Sequence, residues 1–279
     1  MPRDDADIMF IAGSGVDGGI GLSDLRHHRG EPLVPPEAEA TYRDALELWQ
    51  ARVDAGLAFD APALMLARDG GRWSGVVTGY VQKRAACDAV RAMEPQARAA
   101  RYGRDGGPWP LTAGVHLTIV TSDGLVPATL RPASMFIGGG TAALSCTEGL
   151  DPSDLAGTIL DAAGAARRAL LEEFGVTPKE RPGTPVTRVL GAYLHRGLAE
   201  IALVAVADLR RSAVPIPFAR VAASRLRSRW EPEALDALPL RDALAGRAEA
   251  LGMPLGAHSR IVLDLLRGYE ASAGAPEMA

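Results

Sequence analysis

The chain has 279 residues, 47% of them hydrophobic and 23% charged, enough for a substantial core in one large domain or in one domain with a long extension. A net charge of -4 gives no electrostatic footprint for nucleic acid or a membrane surface, and neither is expected as a partner. Cys87 and Cys146 are the only cysteines, too few for a disulfide framework and not in metal-ligand spacing, which fits a reduced, cytoplasmic setting.

The N-terminus, "MPRDDADIMF", lacks a basic region followed by a long apolar run, so no signal peptide is expected. No apolar stretch approaches the length of a membrane span. "IAGSGVDGGIG" (11–21) is glycine-rich, and Gly13, Gly15 and Gly18 satisfy a dinucleotide fingerprint, but only a short segment follows before glycine and proline intervene. Such a fingerprint needs a helix opening directly after the glycines, so a turn is the better reading. "EPLVPPEAEA" (31–40) is a proline-punctuated link leading into helical spacing. "APALMLARDGGRWSGVVTGYV" (61–81) gives two strands around Asp69-Gly70-Gly71, and a helix is expected over 84–103. "YGRDGGPWP" (102–110) marks a boundary, so residues 1–110 form an N-terminal α+β extension and 111–279 a second domain.

From Leu111 the pattern changes. Residues 113–133 suggest a hairpin turning at Ser122-Asp123-Gly124, and "SMFIGGGTAALSC" (134–146) a glycine-kinked strand. A helix is expected over 158–174, a second hairpin over 187–209 turning at His195-Arg196-Gly197, and helices over 218–230, 239–251 and 257–271. Strands, a helix, strands and then helices indicate a mixed α/β fold.

The helix over 158–174 ends in an unusual way. Glu172 and Glu173 occupy its last turn, where the helix dipole disfavours negative charge by about 0.3–1 kcal/mol per group. Taking Leu170, Leu171, Phe174, Ala163 and Ile159 as the apolar face places Glu172, Glu173 and Ala169 opposite the core. Gly175 and Val176 fit a Schellman stop. A divalent cation would reverse the local electrostatics, because a hard cation favours clustered carboxylate oxygens.

This segment, "RALLEEFGV" (168–176), resembles the end of the Nudix box, G-x5-E-x7-R-E-U-x-E-E-x-G-U, in which U is a bulky aliphatic residue. Arg168, Leu170, Glu172, Glu173, Gly175 and Val176 match. Asp154, Leu160 and Ala169 depart from it, and Ala169 replaces the glutamate after the arginine. The resemblance covers about 111–250 and implies a Nudix-like α/β/α sandwich with a mixed sheet. It implies magnesium or manganese held by Glu172 and Glu173, with Arg168 orienting a glutamate. Glu148 or Glu200 could supply a replacement carboxylate, Glu148 from the loop after the glycine-bearing strand. The implied activity is hydrolysis of a diphosphate linkage in a nucleoside diphosphate derivative, a small-molecule substrate. The alternative is a non-hydrolytic protein of the same fold, either a ligand-binding or regulatory module or a repurposed biosynthetic enzyme. Ala169 favours that alternative. If only the third carboxylate is lacking, Ala169→Glu should raise metal affinity and turnover. A homodimer is compatible with the resemblance.

Other candidates carry less. His27 and His28 read as a solvated pair, His116 as a strand residue and His195 as a hairpin tip. Of 30 basic residues only Lys83 and Lys179 are lysines, so the arginine abundance reflects composition, and Arg210, Arg211, Arg220, Arg225, Arg227 and Arg229 read as surface. Trp109 and Trp230 read as core residues rather than stacking platforms. No Ser, His and Asp set assembles from spacing.

Overall fold

A computed structural model describes residues 8–12, 19–103, 106–130, 141–225, 235–245, 249–250 and 252–273. In chain order, β1 (Ile8–Ala12) and β2 (Ile20–His27) precede α1 (Glu39–Asp54). The hairpin β3 (Pro62–Asp69) and β4 (Arg72–Gly79) follows, with Asp69 opposite Arg72 and both Gly70 and Gly71 at positive φ. That backbone suits a two-residue turn matched to strand twist. The single helix expected over 84–103 is two, α2 (Tyr80–Ala92) and α3 (Pro95–Tyr102). Met93 and Glu94 are extended between them, because Pro95 disfavours helical backbone in the residue before it and then serves as the first helical residue of α3.

β5 (Gly107–Val120) is followed by β6 (Leu125–Leu130), β7 (Ala142–Leu144) and β8 (Cys146–Gly149). The turn at Ser122-Asp123-Gly124 exists, closed by Thr121 N–H on the Leu125 carbonyl, yet β5 and β6 do not pair as a hairpin. β6 enters a separate three-stranded sheet instead. Ser145, at φ 52, divides β7 from β8; its hydroxyl accepts from Ile119 N–H (2.8 Å) and donates to the Pro127 carbonyl (3.4 Å). One buried hydroxyl thus satisfies backbone groups of β5 and β6 that a direct ladder would have joined. The glycines of the expected kinked strand, 138–140, lie outside the described residues.

Two short strands, β9 (Leu155–Ala156) and β10 (Ile159–Leu160), precede α4 (Ala162–Phe174). The helix expected from 158 therefore starts later. Gly157, at φ 65, turns β9 into β10, and Ile159 pairs with Gly21 of β2. The next hairpin is as expected, β11 (Thr187–His195) beside β12 (Glu200–Asp208). Then come α5 (Phe218–Arg225), β13 (Leu235–Pro239), α6 (Leu240–Leu244), β14 (Glu249–Ala250), β15 (Met253–Pro254) and α7 (Ala257–Ala273). Of the helix expected over 239–251, Leu240–Leu244 forms α6, and residues 246–248 lie outside the described residues. Glu249 and Ala250 form a strand that pairs with β15 across Gly252, at φ 70. Residues 226–230, with Arg227, Arg229 and Trp230, lie outside the described residues.

The fold is mixed α/β. Its large sheet runs β1-β11-β12-β5-β3-β4-β2-β10-β9, with β8 also on β5; a smaller sheet runs β13-β6-β7. β2 is parallel to β4 whereas β3 is antiparallel to both β4 and β5, so the large sheet is mixed. The chain divides into two compact units, each discontinuous in sequence. The first comprises Met1–Gly114, Gly149–Ala162 and Ala192–Leu203. Its core centres on Leu64, Met65 and Leu66 of β3 with Val81 and Ala85 of α2. The second comprises Val115–Glu148, Ala163–Gly191 and Val204–Ala279, and buries Leu117, Ile119, Leu170, Phe174, Val206 and Leu266. Among the described residues no helix is long and apolar enough to cross a membrane.

Candidate functional site

Of the acidic residues singled out in the sequence, Glu172 and Glu173 on α4 and Glu148 at the end of β8 lie in the second unit. α4 is alanine-rich, "AAGAARRALLEEF", and its stop is fixed by Gly175 at φ 58. Gly175 N–H donates to the Leu171 carbonyl (2.8 Å) and Val176 N–H to that of Leu170 (3.4 Å). The Gly175 bond is the 5→1 bond of a left-handed stop, and neither bond belongs to the expected Schellman pair. It leaves Val176 buried just beyond the last turn.

The buried face of α4 differs from the expected one. Ala162, Ala165, Ala166, Ala169, Leu170 and Phe174 are fully buried, whereas Leu171 is 52% exposed and Ile159 is not in the helix. At about 100° per residue, the buried arc is centred near Glu173, which is itself half-buried. Glu172 stands at the margin of that arc and is exposed. The two acids therefore do not share a solvent face, and Ala169, 0% exposed, is not opposite the core. The adjacent leucines misplaced the face: burying alanines costs little side-chain entropy, so the helix turns its alanine stripe inward and leaves Leu171 out.

Arg168 organises the site. Its guanidinium lies 3.0 Å from Glu172 Oε2, one turn along α4, and 3.6 Å from Glu148 Oε1 on β8. The Arg168 and Glu148 side chains are mostly shielded and that of Glu172 is about half exposed. The pairing also accounts for part of the charge anomaly at the helix end, since a cation one turn back offsets the carboxylate of Glu172. Glu148 was a candidate only through its place after a strand; the fold brings it to Arg168. Glu200, the other candidate, is buried on β12 in a segment belonging to the first unit.

The donor set Glu148, Glu172 and Glu173 offers only carboxylate oxygens, which suits magnesium or manganese rather than a soft metal. As placed, the three do not all converge into one close ligand group. They fit a hard divalent ion by chemistry, with Arg168 holding two of the three.

The remaining sequence candidates fall elsewhere. His116 is buried and its ring stacks on that of His258, centroids 4.7 Å apart, inside the second unit. His195 is buried in the first, its Nδ1 accepting from Leu198 N–H (3.1 Å), so the other ring nitrogen carries the proton of the neutral form. Arg210, expected at the surface, is held by two acids. It donates to both oxygens of Asp208 (2.7 and 2.9 Å) and to Glu270. Tyr269 adds a hydrogen bond to Asp208 (3.1 Å). Burial pushes the Asp208 carboxyl up, but the bonds from Arg210 and Tyr269 outweigh it and hold the group below the usual carboxylate range. Burial beside Asp208 raises the Tyr269 hydroxyl to about 12. This network ties α7 to the end of β12, and no spacing rule flags it because its members are about 60 residues apart.

Among solved structures, an ADP compounds hydrolase is similar over 58% of this chain and 75% of its own length, at 17% identity and a TM-score of 0.41. A protein of Deinococcus radiodurans is similar over 55% of this chain and 82% of its own, at 16% identity and a TM-score of 0.34. No protein-family model matches the chain, and no curated protein matches it. The functional reading accordingly rests on the residues of this chain.

Proposed function

We propose that the chain is a divergent Nudix-type hydrolase that cleaves a diphosphate linkage in a nucleoside diphosphate derivative with magnesium or manganese. The observation that carries this reading is the Arg168 bridge. The arginine of the box fragment pairs with Glu172 of the same fragment and with Glu148 from another element, giving the acid cluster a built orientation. Glu172, Glu173 and Glu148 would hold the cation, and Arg168 would position Glu148 and Glu172 without touching substrate. When bound, the cation neutralises phosphate charge and lowers the pKa of a water molecule. Arg168 pairs with a mostly shielded Glu148 and a half-exposed Glu172, which restricts both carboxylates, and the left-handed stop at Gly175 fixes the turn from which Glu172 and Glu173 project.

A second reading, a ligand-binding or regulatory protein or a biosynthetic enzyme on a similar scaffold, is favoured by Ala169. The position of the missing glutamate is filled by a methyl group packed in the core, so the site has adapted around its absence. Manganese titration and phosphate release from a panel of nucleoside diphosphate compounds separate the two. Hydrolysis that is metal-dependent and lost in Glu172→Gln and Glu173→Gln supports the hydrolase; activity unchanged in both variants removes it.

A further inference from the structure

Far from the acids in sequence, the first unit holds a cavity of about 740 Å³ that the box resemblance does not involve. Arg26 and His27 end β2, and His28 and Arg29 continue from it; with Glu31 and Trp109, near the start of β5, they line the cavity. The positions are anchored by backbone. His27 lies opposite Val77 of β4, and His28 N–H donates to the Val77 carbonyl (2.8 Å). Pro108 and Pro110 flank the indole and restrict the backbone that carries it. The lining holds two guanidinium groups against one carboxylate, in a chain whose net charge is -4, and two imidazoles add hydrogen-bonding nitrogens, burial favouring the neutral form of His28. Arg26 also pairs with Asp24 at 3.2 Å, an exposed contact that a stronger anion can displace.

The chemistry is that of an anion joined to a planar group. Guanidinium forks match phosphate oxygens, an indole offers a stacking face, and the volume lies in the range of small-molecule sites. We propose that this cavity binds a mononucleotide, its phosphate on Arg26, Arg29 and His28, its base against Trp109, and Glu31 accepting from an amine or sugar hydroxyl. Its lining shares no residue with Glu148, Arg168, Glu172 and Glu173, and it does not depend on the hydrolase reading.

Calorimetry on the full chain tests it, with AMP, adenosine and inorganic phosphate as separate probes. AMP should bind saturably and at least about tenfold more tightly than either fragment, because charge-assisted bonds and stacking each contribute about tenfold or more. The Arg26→Ala/Arg29→Ala double variant should weaken AMP by about tenfold or more, and Trp109→Leu by about fivefold or more. Retained thermal melting shows that these variants fold. No AMP binding at millimolar concentration, affinity within about twofold of the parent in both variants, or phosphate binding as tightly as AMP would each overturn the proposal. So would AMP binding lost in Glu172→Gln but kept in the cavity variants, since the nucleotide would then sit at the acid cluster.

Discussion

Ala169→Glu supplies the carboxylate that the resembled motif has at this position, and the structure gives its cost. Ala169 is 0% exposed, so the new side chain must enter packed space, at about 1–3 kcal/mol for overpacking. An ionised carboxylate there would cost more than a protonated one, so the group takes up a proton. Against an unfolded pKa of about 4.3, holding that proton at pH 7 costs up to about 3.5 kcal/mol. The variant should therefore lose about 5 kcal/mol at pH 7 in metal-free buffer, a large fraction of a typical domain's 5–15 kcal/mol. The sign with pH is fixed: a carboxyl raised in the folded state destabilises increasingly as pH climbs above the unfolded pKa. The loss should shrink by about 2–3 kcal/mol on moving to pH 5. Urea denaturation at both pH values reads this directly, and a parallel series with manganese reads recovery if the cation captures the added carboxylate. The earlier expectation of better metal binding and turnover thus holds only if manganese offsets the loss. Equal urea midpoints for parent and variant at pH 7 without metal would refute the placement of Ala169 against the core.

Gly175→Ala places a side chain at φ 58 with its Cβ 3.3 Å from Ser224, which should cost about 1–2 kcal/mol and lower Tm by a few degrees; an unchanged Tm would mean the left-handed stop does not hold. Asp208→Asn should destabilise by about 1–3 kcal/mol at pH 7, because it removes the charge that Arg210 and Tyr269 satisfy. Since the Asp208 carboxyl is depressed on folding, its contribution is present above the unfolded pKa of about 3.9 and lost as pH falls through the folded value. Parent and variant should therefore converge in acid; a gap that persists there contradicts the charge argument. Arg168→Ala removes the ion pairs to Glu148 and Glu172 and should weaken manganese binding by about tenfold, with partial rescue by Arg168→Lys and little change in melting; equal affinity in all three proteins would remove the positioning role.

Local chemistry was legible in the sequence. Gly70-Gly71, Gly124 and Gly175 punctuate where expected, and all have positive φ. β11 and β12 form the expected hairpin, and α7 spans the expected helix. The acidic pair and its arginine stood out because a helix end imposes its own electrostatics on whatever residues occupy it. Tertiary structure decided the rest. β6 left β5 for β13 and β7, since a strand pairs with whichever edge and face the rest of the chain presents, and no turn sequence encodes a partner over 100 residues away. The face of α4 went to its alanines because five of them in thirteen residues leave little hydrophobic contrast around the helix, so close packing chose the buried side. The pairing of Glu148 with Arg168, and the gathering of His27, His28 and Trp109 around one cavity, join residues that spacing treats as unrelated. Sequence determined which groups could do chemistry; long-range packing decided which of them meet.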